Sequence, residues 1–276
     1  MTVKKRRISA REWREFQKQT LMDNAFMNLV LENNIPCTEE ILRVILKKDD
    51  LFVKRVQTQK MLQGFGRSVC LDVYAEDSKG VKYNIEIQNA DDGAVPRRAR
   101  FHTGMIDAHS LKAGQDFSEL PECYVIFITR NDVLGLNRTV YTIHKYIDEV
   151  LEPFDDGAHT VYVNCSAEND GSEIWKLIHD LQCPDAEEMY FPRLAERVSF
   201  LKGNDEEGGK KVMGYFDERE AKAVKAAEIR AEKRAEKKQS ESIARTLLEM
   251  GKLTLEEIAI GTGLTLKAVR KLAETR

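Results

Sequence analysis

The chain is poor in the groups that commonly mark a zinc or dithiol centre. Its 276 residues include five cysteines and five histidines. Cys37, Cys70, Cys123, Cys165 and Cys183 are scattered and none forms a CxxC pair, which excludes the usual thiolate zinc and redox patterns. They read as reduced, mostly buried thiols of a cytoplasmic protein. The histidines are equally dispersed and suggest no zinc site. No apolar run reaches membrane-spanning length and no signal-peptide-like segment is present, so no membrane partner is expected. A basic excess is missing too. Lys and Arg number 43 against 46 Asp and Glu, a net charge of −3, so any nucleic-acid surface must be local.

What is present suits a globular protein. Hydrophobic residues make up 42% and charged residues 32%, enough for one sizeable core plus a smaller appendage. Residues 1–8 form a basic tail around Lys4-Lys5-Arg6-Arg7. Ser9-Ala10-Arg11-Glu12 is a capping box that opens a helix. The pattern then predicts a helix reaching about Asn33, and another over 39–48 capped by Thr38, with Ile41, Val44 and Ile45 facing the core. A strand follows near 51–57, then two short strands, and a helix from about Val95 to Lys112 with Pro96 in its first turn. Cys123 to Thr129 is almost wholly apolar and reads as a central strand buried on both faces. Thr160 to Asn164 is a further strand and Ser172 to Leu181 a short helix. This alternation predicts an α/β core over residues 9–200.

The two short strands carry the sharpest signal. Val69 to Glu76 and Val81 to Gln88 flank Asp77-Ser78-Lys79-Gly80, a hairpin turn with Gly80 at the positive-φ position. That register sets Asp72 opposite Glu86. Alternation places Leu71, Val73, Ile85 and Ile87 on one face and Asp72, Glu86 and Gln88 on the other. Facing carboxylates repel across a ladder, and a hard divalent cation between them relieves the repulsion with oxygen ligands. The plainer alternative is a solvated sheet face.

Leu71-Asp72-Val73 followed by Asn84-Ile85-Glu86-Ile87-Gln88 resembles the PD-(D/E)XK nuclease core. More narrowly, the chain resembles the PD-(D/E)XK nuclease family transposases, relatives of the recombination-promoting nucleases. The resemblance covers about residues 20–200. It includes Asp23-Asn24-Ala25-Phe26, the run from Glu40 through Gly66-Arg67-Ser68, Arg97-Arg98-Ala99-Arg100-Phe101, Ser110 to Gly114, and Tyr124 to Ile128. It implies a restriction-endonuclease-like mixed sheet flanked by helices, and a metal-dependent DNA endonuclease. Asp72 and Glu86 would hold Mg²⁺ or Mn²⁺, with the Ile87 carbonyl as a further ligand. Gln88 stands where most such nucleases carry lysine; it can orient a water but brings no charge. A helix-borne acid often completes such sites. Glu40 and Asp23 are the candidates, although Glu39 and Glu40 also suit an ordinary helix N-terminus, and Met27 stands where a lysine is common.

The helix after the motif carries Arg97, Arg98 and Arg100. Arg97 and Arg100 share a face, and all three can reach DNA phosphates or pair with Asp91 and Asp92. Phe101, Met105 and Ile106 read as its buried stripe, and His102 as an acid/base group or a surface histidine.

Beyond Phe200 the character changes. Residues 201–245 comprise a polar, glycine-rich break (Lys202 to Gly209) and a long charged helix over 217–241. That helix reads as a solvated linker or a homodimer contact. Residues 246–276 open with the capping box Thr254-Leu255-Glu256-Glu257. The spacing of Ala259, Gly263 and Val269 then gives a helix-turn-helix-like unit. Lys267, Arg270 and Lys271 fall on its second helix and can contact DNA; a helical hairpin packed on protein is the alternative.

Two functions compete. One is a Mg²⁺-dependent DNA endonuclease linked to recombination or mobile elements. The other is a catalytically weak or inactive nuclease-fold protein that binds DNA or assembles. A DDE-type transposase fits less well, because the acids sit on one tight hairpin and no third acid is evident.

Overall fold

The computed structural model describes residues 8–89, 91–203 and 206–274. The basic run Lys4-Lys5-Arg6-Arg7 and the side chains of Asp91 and Asp92 lie outside the described residues. Helix α1 (Ala10–Gln17) opens with the capping box: Ser9 Oγ accepts the Glu12 amide at 3.2 Å and Glu12 returns a carboxylate to the Ser9 amide at 2.9 Å. Helices α2 (Asn24–Leu31) and α3 (Ile35–Leu46) follow. The start of α3 lies earlier than the sequence suggests. Asn34 caps it through the Cys37 amide at 3.2 Å, and Thr38 sits inside the helix, its hydroxyl donating to the Asn34 carbonyl at 2.9 Å. Asn outcompetes Thr as a cap and fixes the boundary one turn upstream.

Strands β1 (Val53–Leu62), β2 (Val69–Asp77) and β3 (Lys82–Gln88) form an antiparallel meander. Helix α4 (Pro96–Ala108) then crosses to β4 (Cys123–Thr129), which lies parallel to β3. Strand β5 (Val140–Ile143) and the small hairpin of β6 (Tyr146–Ile147) and β7 (Glu152–Pro153) precede β8 (Ala158–Asn164). The main sheet runs β1-β2-β3-β4-β8-β5, mixed in direction, with β4 at its centre. Every residue of β4 is buried, so both its faces are covered, as its apolar run predicts. One face carries a cluster in which Ala99, Met105 and Ile106 of α4 meet Val125 and Phe127 of β4 and Tyr162 of β8. Helices α5 (Glu173–Gln182) and α6 (Pro192–Lys202) pack with α3.

Helix α7 (Glu206–Met250) begins inside the stretch expected to be a glycine-rich break, and runs through Gly208, Gly209 and Gly214. The glycines lower helix propensity by about 1 kcal/mol each relative to Ala, but Val212 among them is fully buried and anchors the turn. The chain divides into two compact units between Met213 and Gly214. In the second unit, Ala244 of α7 packs on Ile258 of α8 (Leu255–Thr262) and Val269 of α9 (Leu266–Glu274). Thr254 caps α8, Gly263 turns the chain at φ 69°, and the Thr265 hydroxyl accepts the Ala268 amide at 3.3 Å. Among the described residues no helix is long and apolar enough to cross a membrane.

The β2–β3 turn sets the register on which the rest depends. Asp77 is buried; its Oδ1 accepts the Lys79 and Val81 amides at 2.8 and 2.9 Å, and its Oδ2 accepts the Tyr83 hydroxyl at 2.9 Å. Gly80 takes φ 87°, a conformation that favours glycine. Asp77→Ala strands three donors and should cost about 1–3 kcal/mol. Chemical denaturation checks this, and an unchanged midpoint would show that the turn is held by other contacts.

Candidate functional site

The ladder between β2 and β3 pairs Tyr74 with Asn84 and Val73 with Ile85, and ends one position short of Asp72 and Glu86. The two residues clasp each other's strand. The Asp72 amide donates to Glu86 Oε1 at 3.2 Å, and the Ile87 amide donates to Asp72 Oδ2 at 3.4 Å. On the far side of β2, Gln59 adopts a left-handed φ of 51°, and the Gln59/Asp72 pair is missing from the β1–β2 ladder, which keeps its register across the gap. Gln59 Nε2 instead reaches Asp72 Oδ1 at 3.3 Å. The side-chain alternation of β2 also departs from expectation: the buried cluster beneath α4 takes Leu71 together with Tyr74, rather than Leu71 with Val73.

Glu86 is 0% exposed and Asp72 only 9%. Burial is the main cause that raises both carboxyl groups above their ordinary range; for Glu86, pushed up to about 7, the Asp72 charge adds to it. Opposing this, Glu86 is drawn down by the Asp72 amide, Arg98 and Asn84, while Asp72 is drawn down by Asn24, the Ile87 amide, Arg98 and Gln59.

Arg98 is the cation of the cluster. Its Nη2 donates to Glu86 Oε2 at 2.7 Å, while Nη1 donates to Gln88 Oε1 at 3.1 Å and to the Gly93 carbonyl at 2.9 Å. The close approach needs glycine: a Cβ on Gly93 would lie 1.9 Å from Gln88 Oε1. One turn along α4, His102 is 3% exposed, and burial, with Arg98 and Arg67, lowers its pKa to about 4. Its ring is therefore neutral. Arg98 Nε donates to His102 Nε2 at 3.4 Å, while His102 Nδ1 lies 3.0 Å from Asn84 Nδ2 and 3.5 Å from Glu86 Oε1. His102 is thus neither a surface histidine nor open to solvent as an acid/base group. Its neighbour Phe101 is 40% exposed, not part of the buried stripe. The helix is rotated so that Arg98 and His102, four residues apart, share the face toward Glu86.

The structure brings Asp72, Glu86, Ile87, Gln88 and Arg98 together and leaves other candidates outside. Glu40 points into the contact between α3 and α6, where burial raises its pKa and Arg193 and the Leu194 amide are its neighbours. Its Oε2 is buried without a hydrogen-bond partner. Asp23 closes the turn before α2, its Oδ2 accepting the Thr20 amide at 2.8 Å. The adjacent Asn24, which side-chain logic alone did not single out, is the α2 residue that hydrogen-bonds Asp72. Gln59 and Asn84 were likewise missed; both join through distant pairing rather than local pattern. Arg97 and Arg100 are exposed on α4 away from the carboxylates, and Lys267, Arg270 and Lys271 are exposed on α9.

Asp72 and Glu86 can accept a hard divalent cation. They are oxygen donors on adjacent strands, and their shared repulsion is the feature a cation relieves. Among the described residues no group of three or more His, Cys, Asp or Glu could hold a metal, so such an ion would lean on two carboxylates, the coordination Mg²⁺ tolerates best.

The raised pKa gives a direct test in metal-free protein. The folded state holds the Glu86 proton more tightly than the unfolded chain does. Its contribution to stability is complete below pH 4.5 and is lost as pH rises through about 7. Thermal unfolding across that range should show wild type losing stability with rising pH, and Glu86→Gln should flatten the decline. Parallel curves for the two proteins would refute the burial and repulsion assigned to Glu86.

Comparison with known proteins places this geometry. No curated protein and no solved structure matches the chain. Residues 15–246 match the family described as PD-(D/E)XK nuclease family transposase. That span holds the whole main sheet, both carboxylates, α4 and most of α7, and nucleases of this kind generally use divalent metal ions. The mixed six-stranded sheet flanked by helices is consistent with the same fold. By its sequence over most of its length, this chain belongs to the PD-(D/E)XK nuclease family transposases.

Proposed function

We propose that the protein is a Mg²⁺- or Mn²⁺-dependent DNA endonuclease acting in recombination or in the life of mobile elements. The observation that carries this reading is the pair of buried, mutually repelling carboxylates, Asp72 and Glu86, with Arg98 set against the second of them. Asp72, Glu86 and the Ile87 carbonyl would hold the ion. The ion, when bound, lowers the pKa of water and neutralises charge gathering on the phosphate. The chain's own groups supply the rest. Gln88, whose Oε1 is engaged by Arg98, keeps its amide NH₂ to orient a phosphate oxygen or a water. Arg98 brings the positive charge that glutamine lacks; once a cation takes over Glu86, the guanidinium can turn to the scissile phosphate. His102 holds Arg98 in place. Arg97 and Arg100 suit flanking phosphates.

We assign residues 9–200 to the nuclease domain, 201–245 to a linker dominated by the charged helix, and 246–276 to a helix-turn-helix-like unit. Lys267, Arg270 and Lys271 of that unit would meet DNA. One such unit is small, and a homodimer would raise its hold on DNA. The free thiols of all five cysteines support a cytoplasmic, reducing setting.

A second reading has its own observation. Arg98 already neutralises Glu86 at 2.7 Å, and position 88 carries no lysine. A protein that binds DNA with this fold and cuts weakly or not at all would look the same. Nicking of supercoiled plasmid with Mg²⁺, Mn²⁺ or EDTA decides between the two. The nuclease reading expects metal-dependent nicking by wild type. It expects loss of nicking and of calorimetric metal binding in Asp72→Asn and Glu86→Gln. Nicking that survives either substitution would overturn the site. Arg98→Ala should slow cleavage by roughly 10²–10³-fold, the usual scale for losing one charge-stabilising donor, with Arg98→Lys partly restoring it. An unchanged rate in Arg98→Ala would remove its catalytic part.

The C-terminal unit has a separate test. Converting Lys267, Arg270 and Lys271 to alanine should weaken DNA binding at low salt. It should also flatten the plot of log affinity against log salt by up to about three units of slope, one per lost phosphate contact. Identical slopes would make this unit a packing or assembly element.

A further inference from the structure

The β1–β2 hairpin carries a feature that the carboxylate site does not use. From Val53 to Leu71 it contains Lys54, Arg55, Lys60 and Arg67 and no acidic residue; Arg55 pairs with Glu76 further along β2 at 3.1 Å and Lys60 sits 3.3 Å over the Tyr74 ring, which leaves Arg67 as the exposed cation of the tip. β1 is the edge of the sheet. The hairpin closes through Gln63-Gly64-Phe65-Gly66-Arg67-Ser68. This tip lies at the end of the sheet that bears Asp72, which is only about 10 Å along β2 from Val69.

The tip is built rather than loose. Ser68 Oγ donates to Gln63 Oε1 at 3.1 Å and accepts the Gly64 amide at 3.3 Å. Gly64 packs so tightly that a Cβ would lie 2.4 Å from the Arg67 carbonyl oxygen and 3.3 Å from Met105 of α4. Arg67 is close enough to His102 for its charge to help lower that ring's pKa. On this anchored frame Phe65 is 116% exposed, more than in an open reference chain, and beside it Gly66 has only open space. Single exposed apolar side chains are common. A phenyl ring held clear of all cover, between two glycines, next to the exposed Arg67 and on a hairpin that leads into a carboxylate pair, is a more specific arrangement. The positive charge of Arg67 suits a phosphate backbone, and a bare aromatic ring suits the faces of bases, on which it can stack or between which it can wedge.

We propose that Phe65 is a base-stacking wedge: as the exposed Arg67 follows the backbone, the Phe65 ring enters the base stack beside the phosphate presented to Asp72 and Glu86. The proposal rests on the reading of DNA as the substrate, but not on cleavage. It makes Phe65 a positioning residue that unstacks the duplex near the site.

The test uses the full chain in EDTA, where no cleavage occurs, with duplexes carrying 2-aminopurine at successive positions. Saturating wild type should raise 2-aminopurine fluorescence, the signature of an unstacked base. Phe65→Ala should abolish the rise and weaken binding by roughly tenfold, within the range for losing one stacked base. Its melting temperature should not change, because the side chain touches nothing. Phe65→Trp should keep the rise, with its indole emission quenched by the bases. A wild type that binds these duplexes without any fluorescence rise, an equal rise in Phe65→Ala, or no binding by wild type would each overturn the wedge. Plasmid nicking in Mg²⁺ is run beside it. Nicking without a rise sinks the wedge alone, whereas a Phe65-dependent rise without nicking upholds it and sinks the nuclease reading.

Discussion

The structure turns on one unfavourable contact. Two carboxyl groups, Asp72 and Glu86, are buried side by side where the β2–β3 ladder ends, and burial raises the pKa of each. Such a pair persists only if its surroundings over-determine it. Here they do. The turn at Asp77 sets the register, backbone amides of Asp72 and Ile87 bind the opposite side chains, and Gln59 and Asn24 reach in from β1 and α2. The left-handed Gln59, Arg98 of α4 and the buried His102 all stand against these oxygens.

The same contact explains how charge is distributed around position 88. A lysine there would add its ammonium to the space Arg98 fills, and like charges at that distance repel. Glutamine avoids this and hydrogen-bonds the guanidinium instead. Gly93 completes the arrangement by leaving Gln88 Oε1 room to meet Arg98. The helix and the strand therefore share one polar network. His102 belongs to it as a neutral prop rather than as a proton carrier, since its shift comes first from burial and then from the neighbouring arginines.

What the sequence made legible was local chemistry. Asp77 and Gly80 announce their turn, Ser9 and Thr254 their capping boxes, and Cys123 to Thr129 its burial on both faces, because each signal sits within a few residues of its effect. The failures share a different cause. Glu40 was a candidate helix acid because it lies on a helix ahead of the motif strands, and tertiary packing aims it at α6. Phe101 and His102 exchanged their expected environments because His102, not Phe101, falls on the buried face that Ala99, Met105 and Ile106 define. Asn24 and Gln59 reach Asp72 from other elements, which no periodicity could reveal. Gly208 and Gly209 read as a break, but burial of Val212 outweighs their weak propensity.

The Arg98–Gln88 contact has a bearing on where positive charge at the site comes from. The two positions stand ten residues apart, one on a strand and one on a helix, yet they touch at 3.1 Å. A substitution at either position therefore changes a hydrogen bond of the other. Were the protein a nuclease as proposed, the strand would need no lysine of its own to have a positive charge within reach, because the helix already brings one to Gln88 and Glu86.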